Sequence, residues 1–344
     1  MTKLSGRKFG ISIEPTWPIK YSRELAVLAE RNGFSNVWIP DGGPSPPYSD
    51  SIVTLAAVAA STSRIRFGSA ILNFYTRNPA WIASSFLALS ELGSRGNKSL
   101  SQRAVLGLGV GADYNVAKFG IRNRKGMIIE LREAVESIAE LFDGKEVTVR
   151  TDTYAIEAVS LSKLRRKIPI YLGSSSPKGL ELAGEISDGA ILTDRIPADL
   201  EESINHIVLG LGYSSRSRKN IEIVNSVVIS VDDDRERARR SVKPTCAYLV
   251  AWMSDEKAEA HRIDLRSKTL ITEFIKKGDE RSAAKLVDNK MVDLLTASGN
   301  TQDCLEKCRE YFEQDIDQLA FCEPFGPRPK DSITKIAKNI IPRL

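Results

Sequence analysis

The sequence predicts an α/β fold, a (β/α)8 TIM barrel with a helical insertion after the seventh strand. Three observations carry that reading. Eight short apolar runs alternate with helical segments along the chain, the repeat of a parallel barrel. Several of these runs break into polar, Gly-rich or Pro-rich segments just before a helix starts, as strand ends do at a barrel mouth. The length, 344 residues, suits one barrel domain, 1–344, with insertions. A doubly wound open sheet is the competing architecture. It calls for a dinucleotide fingerprint after the first strand, and Gly10-Ile11-Ser12-Ile13-Glu14 lacks one.

Strand one is predicted over residues 8–13 (KFGISI), ending at Glu14-Pro15. Residues 19–31 form an amphipathic helix that Asn32-Gly33 stops. Strand two is 36–39 (NVWI), followed by Pro40-Asp41-Gly42-Gly43 and an irregular loop through Pro47. Residues 51–60 are a helix of small residues. Strand three, 65–72, is a buried apolar run that breaks at Asn73-Phe74-Tyr75-Thr76-Arg77. Asn78-Pro79 then opens a helix to residue 92, with Asn as N-cap and Pro in the first turn.

Residues 93–102 read as a polar, flexible insertion. Strand four is 103–109, running into Val110-Gly111-Ala112-Asp113, and its helix is 126–142. Residues 147–156 suggest a short hairpin. Strand five is 168–172, then Gly173-Ser174-Ser175-Ser176-Pro177, then a helix over 178–186. Strand six is 189–192, followed by Thr193-Asp194 and a helix over 200–211. Strand seven is 221–230, with a helix after Asp232-Asp233-Asp234. Residues of about 254–298 are the helical insertion. Residues 302–312 are a helix, 318–322 (QLAFC) strand eight, and 333–341 the closing helix.

Composition narrows the function. Forty-nine Lys+Arg against 44 Asp+Glu leave a formal charge of +5, and the basic residues are scattered. The knots at 216–219 and 235–240 are read as solvated faces, so no nucleic-acid partner is expected. The two histidines, His206 and His261, and the four cysteines, Cys246, Cys304, Cys308 and Cys322, make no metal-ligand pattern, and no metal is expected. No apolar run reaches membrane-spanning length, and the N-terminus does not resemble a signal peptide. A reduced cytoplasmic protein is the expectation.

Candidate chemistry lies at the strand ends. Gly173, Ser174, Ser175 and Ser176 stand between a buried strand and a helix start. There Gly permits close approach, hydroxyls donate, and free amides attract an anion, with phosphate the natural ligand and a plain Ser N-cap the alternative. Gly107-x-Gly109-x-Gly111 would accept a phosphate or let the backbone pass under a flat ring. Ser12 and Glu14 lie two apart and share a strand face. Glu14 is a general acid or a solvated loop carboxylate, with Trp17 or Trp38 as neighbours that would raise its pKa. Asp41 is a polar site group or a turn residue. Asp188, at the opposite end of strand six, orders a turn.

Five runs resemble a known family: FGISIEP from Phe9, WIPD from Trp38, NxYxRxPA from Asn73, LGLGVG from Leu106 and IPIYLG from Ile168. The last is followed by LAGEISDGA from Leu182. Together they resemble the luciferase-like barrels, and within them the coenzyme F420-dependent methylenetetrahydromethanopterin reductases. The resemblance spans nearly the whole chain. It implies a deazaflavin in the barrel mouth, its ring against a strand-three bulge with a non-prolyl cis peptide, here Ala70–Ile71, and its phosphate at 173–176. Asn73 and Gly109 fall among the implied cofactor contacts.

Three departures stand out. That branch carries Glu at the position of Ser12, Asp-His at Asp41-Gly42, and an acid at Ala112, here followed by Asp113. A reduced deazaflavin donates hydride only, so the protein must orient two rings, exclude water and supply a proton. With Ser12 in place of Glu, Glu14 is the expected acid. Expected partners are a small pterin-type substrate and further copies of the chain, as a homodimer or larger homo-oligomer. An FMN-dependent monooxygenase or reductase, or a non-catalytic flavin-binding relative, is the alternative.

Overall fold

Eight parallel strands close on themselves. The computed structural model describes residues 6–43, 47–94, 103–122, 124–161 and 166–344. Strands one to four are Lys8–Ser12, Asn36–Ile39, Arg66–Ser69 and Ala104–Gly109. Strands five to eight are Ile170–Gly173, Gly189–Leu192, Glu222–Val231 and Gln318–Phe325. Each pairs in parallel with the next, and strand one pairs with strand eight in register, Ser12 against Cys322. Strand four shows why continuous apolar runs were the signal, since every residue of AVLGLG is buried between the interior and the helix layer.

Side chains divide by parity. Trp38, Val105, Tyr171, Ile191, Val224 and Ala320 fill the barrel. Their neighbours Val37, Ile39, Leu106, Leu172 and Ile223 face outward into the main core under the helices. The floor is polar and closed. Glu222 accepts from Lys8 Nζ at 2.7 Å, Tyr171 Oη at 2.8 Å and Gln318 Nε2 at 3.1 Å, while Trp38 Nε1 donates to Gln318 Oε1 at 2.7 Å. Arg66 Nη1 adds an ion pair to Glu222 at 3.2 Å. With the floor sealed by paired charge, ligand access is left to the C-terminal mouth.

The helices start where capping residues put them. Asp50 accepts from Val53 N for Ser51–Ser61, Ser176 from Gly179 N for Pro177–Ile186, and Asn300 from Gln302 N and Asp303 N for Thr301–Phe312. Asp188 ties the starts of strands five and six together, Oδ2 accepting from Ile170 N at 2.9 Å.

Three expectations are corrected. Strand three is not continuous over 65–72: it stops at Ser69, bulges through a cis Ala70–Ile71 bond, and resumes as Leu72–Asn73 beside strand four. The hairpin is longer than 147–156, with strands Glu146–Arg150 and Ala155–Ser160. The region after strand seven is a helix, Arg235–Trp252, four short helices, and then a strand, Thr296–Gly299, that pairs with Val228–Val231. That strand lay hidden because TASG has no apolar alternation; it is drawn in by the open edge of the long strand seven. The insertion's own apolar cluster reaches the barrel through Val228 and Cys322. Of the polar insertion expected at 93–102, Gly93 and Ser94 end the helix Pro79–Ser94, and 95–102 lie outside the described residues.

Candidate active site

The mouth is built from loops that pin one another. The segment after strand one meets the loop after strand two through a Thr16–Tyr48 bridge, a Trp17 N–H to Pro47 carbonyl bond of 2.9 Å and a Ser49 N–H to Pro15 carbonyl bond. The bridge holds Glu14 in place although it lies two residues past the strand. Tyr48 also covers Gly42, its ring 3.3 Å from where a Cβ would stand.

Glu14 does not sit alone. Its backbone N–H donates to Glu323 Oε1 at 3.1 Å. Asp194, just past strand six, has Oδ1 bonded by Ser226 Oγ at 3.0 Å. Burial first, then the charges of Glu323 and Asp194, push Glu14 up to about 7 from an ordinary 4.5. Burial likewise raises Glu323 to about 7, against the lowering effect of the Glu14 amide, and it raises Asp194. Among the described residues, no cationic side chain contributes to any of the three shifts. The Cys322 thiol, held protonated by burial, faces Ser12 and Ser226. Glu14 is thus a half-buried, desolvated acid rather than a solvated loop carboxylate. The tryptophans are not responsible: Trp17 is 64% exposed and Trp38 belongs to the floor.

These shifts make stability fall with rising pH. The unfolded chain loses both carboxyl protons near 4.5, while the native state keeps them to about 7. Between those values the native state binds more protons, so stability is greatest below about 4.5 and declines as pH rises through 7. Denaturation midpoints between pH 5 and 8 should fall, and Glu14→Gln should flatten the slope. A parent midpoint that rises over that range would contradict the burial of these acids.

The bulge in strand three turns Ala70 and Ile71 into the mouth, where both pack on the inner cluster. Ile71 explains two glycines differently from the sequence reading. A Cβ on Gly109 would collide with Ile71 Cδ1 and lie 2.6 Å from the Gly173 carbonyl, and one on Gly173 would lie 2.7 Å from Ile71 Cγ2. The space these glycines leave is therefore occupied by Ile71, which props the bulge from beneath. Asn73 is buried, its Oδ1 accepting from Thr76 N at 2.9 Å and Thr76 Oγ1 at 3.1 Å, so it shapes the turn after the bulge. Arg124 ties that turn to the loop after strand four: its guanidinium lies over the Tyr75 ring, bonds the Val110 and Gly111 carbonyls and pairs with Asp113.

Asp41 lies apart from Glu14's charges. It faces Arg77 Nε at 3.7 Å, and Arg77 Nη2 pairs with the helix cap Asp50 at 2.6 Å. Burial raises Asp41 while Arg77 opposes the shift. Its geometry is that of a brace between the loops after strands two and three.

The Ser174–Ser176 turn realises the N-cap alternative at one residue: Ser176 Oγ accepts from Gly179 N at 3.2 Å. Ser174 Oγ accepts from Ser176 N at 3.2 Å, and exposed Ser175 stays uncommitted at its side chain. Arg195 Nη2 donates to the Ser175 carbonyl at 2.7 Å, bringing a cation to the turn. Sequence reasoning missed Glu323, Asp194, Arg195 and Arg124. The signal for the first two was present, an acid directly past a predicted strand end.

The family model described as luciferase-like monooxygenase matches residues 4–318. The chain belongs to the luciferase-like family. Its relatives include 5,10-methylenetetrahydromethanopterin reductases of Methanolobus tindarius, 31% identical over 97% of this chain and 99% of the relative, and of Archaeoglobus fulgidus, 32% identical over 98% and 99%. Among solved structures, the coenzyme F420-dependent tetrahydromethanopterin reductase from Methanopyrus kandleri superposes with a TM-score of 0.86 at 28% identity, covering 98% of this chain and 99% of that one. The luciferase-like resemblance drawn from the five sequence runs is therefore borne out over nearly the whole chain. No helix among the described residues is long and apolar enough to cross a membrane.

Proposed function

We propose that this luciferase-like protein is a coenzyme F420-dependent oxidoreductase that transfers a hydride between reduced deazaflavin and a methylene-tetrahydropterin-type one-carbon carrier. Full-length similarity to reductases of that name supports the cofactor and reaction class. The observation that carries the chemistry is a carboxylic acid, Glu14, held protonated near neutrality at the mouth beside Glu323 and Asp194.

The residues present fit the cofactor. The half-buried Ala70 and Ile71 offer an apolar rest for a flat ring. Ser174, Ser175, the N-terminal amides of the helix Pro177–Ile186 and Arg195 offer donors and positive charge to a phosphate. Bound there, reduced deazaflavin supplies the hydride. Glu14 supplies the proton that a methylene bridge needs at nitrogen before it opens to an acceptor for that hydride. Ser12 has no useful acidity near neutral pH and lines the same face. The walls contributed by Trp38, Tyr171 and Ile71 exclude water from below.

The deciding measurement is oxidation of reduced deazaflavin, followed by absorbance, with a panel of methylene-pterins. Turnover with at least one supports the assignment; FMN binding with no deazaflavin turnover replaces it. Ser175→Asp should weaken deazaflavin binding about tenfold by placing a negative charge at the anion site, as a fluorescence titration would read. Unchanged affinity would leave the turn as a helix cap only. The proposal extends to a cytoplasmic homo-oligomer, a state that light scattering would read.

A further inference from the structure

Glu14, as the proposed proton donor, has a neighbour whose presence no proton-donor role requires. Strand eight delivers Glu323 immediately after Cys322, whose register partner is Ser12, so the two chains leave the barrel side by side. The Glu14 amide then donates to Glu323 Oε1 at 3.1 Å. That bond fixes one carboxyl against the backbone of the other residue. Among the described residues, the remaining surroundings offer no positive charge. Asp194 stands on the third side, bonded by Ser226; the Cys322 thiol and the Tyr21 hydroxyl, both raised by burial among these acids, are neutral. Ser22 Oγ donates only to the Glu14 carbonyl, at 2.9 Å. A single buried carboxylate with these neighbours is tolerable; two adjacent ones without a cation are not.

We propose that Glu323 is a positioning residue that holds a second proton and shares it with Glu14, so that the two carboxyls titrate as a pair and Glu14 is reloaded from Glu323 after each transfer. This deepens the reading of Glu14 as the acid and rests on it. The proton balance is simple. Glu14 gives its proton to the substrate nitrogen and becomes a carboxylate; the proton of Glu323 passes to Glu14; solvent returns one proton to Glu323. No oxidant or further reactant enters. The shared proton has a physical reason to exist, because burial raises both carboxyls to about 7 from 4.5 and the charge of Glu323 adds to the cost of ionising Glu14. Asp194, bonded by Ser226, is the third acid, and its charge adds to the cost of ionising Glu14.

The test needs neither cofactor nor substrate. In protein labelled with 13C at the glutamate side-chain carboxyl carbon, Glu14 and Glu323 are assigned by Glu14→Gln and Glu323→Gln, and their shifts are followed from pH 4 to 9. A sharing pair gives two-step curves, each carbon reporting both steps, separated by more than about one pH unit. Glu323→Gln keeps an oxygen that accepts from the Glu14 amide, so the local fold is retained. In that variant the Glu14 curve should become a single step at lower pH. Single-step curves in the parent, with Glu14 unmoved by Glu323→Gln, overturn the proposal. In the enzyme assay Glu323→Gln should shift the pH profile of turnover to lower pH with the KM for deazaflavin unchanged. An unshifted profile also overturns the proposal. Coupled titration in a protein that turns over no methylene-pterin would uphold the pair while removing the reductase assignment, so the two failures are separate.

Discussion

Glu14→Gln is expected to lower turnover of reduced deazaflavin with an accepted methylene-pterin by about 10²–10⁴, the ordinary worth of a positioned acid. The substitution keeps size and shape, and its amide nitrogen can still face the mouth, so deazaflavin affinity should be nearly unchanged. The expected loss is therefore in kcat rather than in cofactor binding. The physical ground is the environment of this carboxyl: Glu14 is half-buried and desolvated, faces two other acids and, among the described residues, no cation, and stays protonated to about 7 where an exposed glutamate is ionised. A variant with parental turnover would move the acid elsewhere. Asp41 is then the next candidate, although its pairing with Arg77 already gives it a bracing role.

Gly107→Ala should be the most damaging small substitution in the barrel wall. Gly107 is gripped by Ser69 across strands three and four, with Ser69 Oγ donating to the Gly107 carbonyl at 2.8 Å and accepting from its N–H at 3.0 Å. A Cβ at 107 would run into the Ser69 carbonyl oxygen and meet Ile191 Cδ1 at 3.1 Å. The obstructing atom is backbone, so no rotamer change relieves it, and strand three must move where its bulge begins. The cost should be about 3 kcal/mol or more, at the upper end of overpacking effects. Chemical denaturation measures it, with Gly212→Ala as a control: no atom lies within 4 Å of a Cβ there, and its helical position favours Ala. Equal midpoints for the two variants would refute the close approach.

Arg103 shows how far apolar patterning misleads. It opened the predicted strand four with no role assigned to its charge. The structure buries it, Nε donating to the Ile65 carbonyl at 2.9 Å and Nη1 to the Gly93 carbonyl at 2.7 Å. Those carbonyls belong to a helix end and a strand start that only the assembled barrel brings together. The same holds for Gly109 and Gly173, whose pattern suggested ligand approach and whose real neighbour is Ile71.

What the sequence determined by itself was everything written in local period and capping. The alternation of apolar runs with capped helices specified the barrel. The Asn78-Pro79 and Ser176-Pro177 starts and the small residues of 51–60 specified where its helices lie. The face shared by Ser12 and Glu14 placed a carboxyl at the mouth. The tertiary structure decided what that carboxyl is. Its proton is held by burial and by Glu323 and Asp194, acids 309 and 180 positions away along the chain that reach Glu14 only because parallel strands one, six and eight end on the same rim. Desolvation and like-charge repulsion depend on what closes around a group. No residue's own neighbours in sequence carry that information, and the closure of the barrel supplies it.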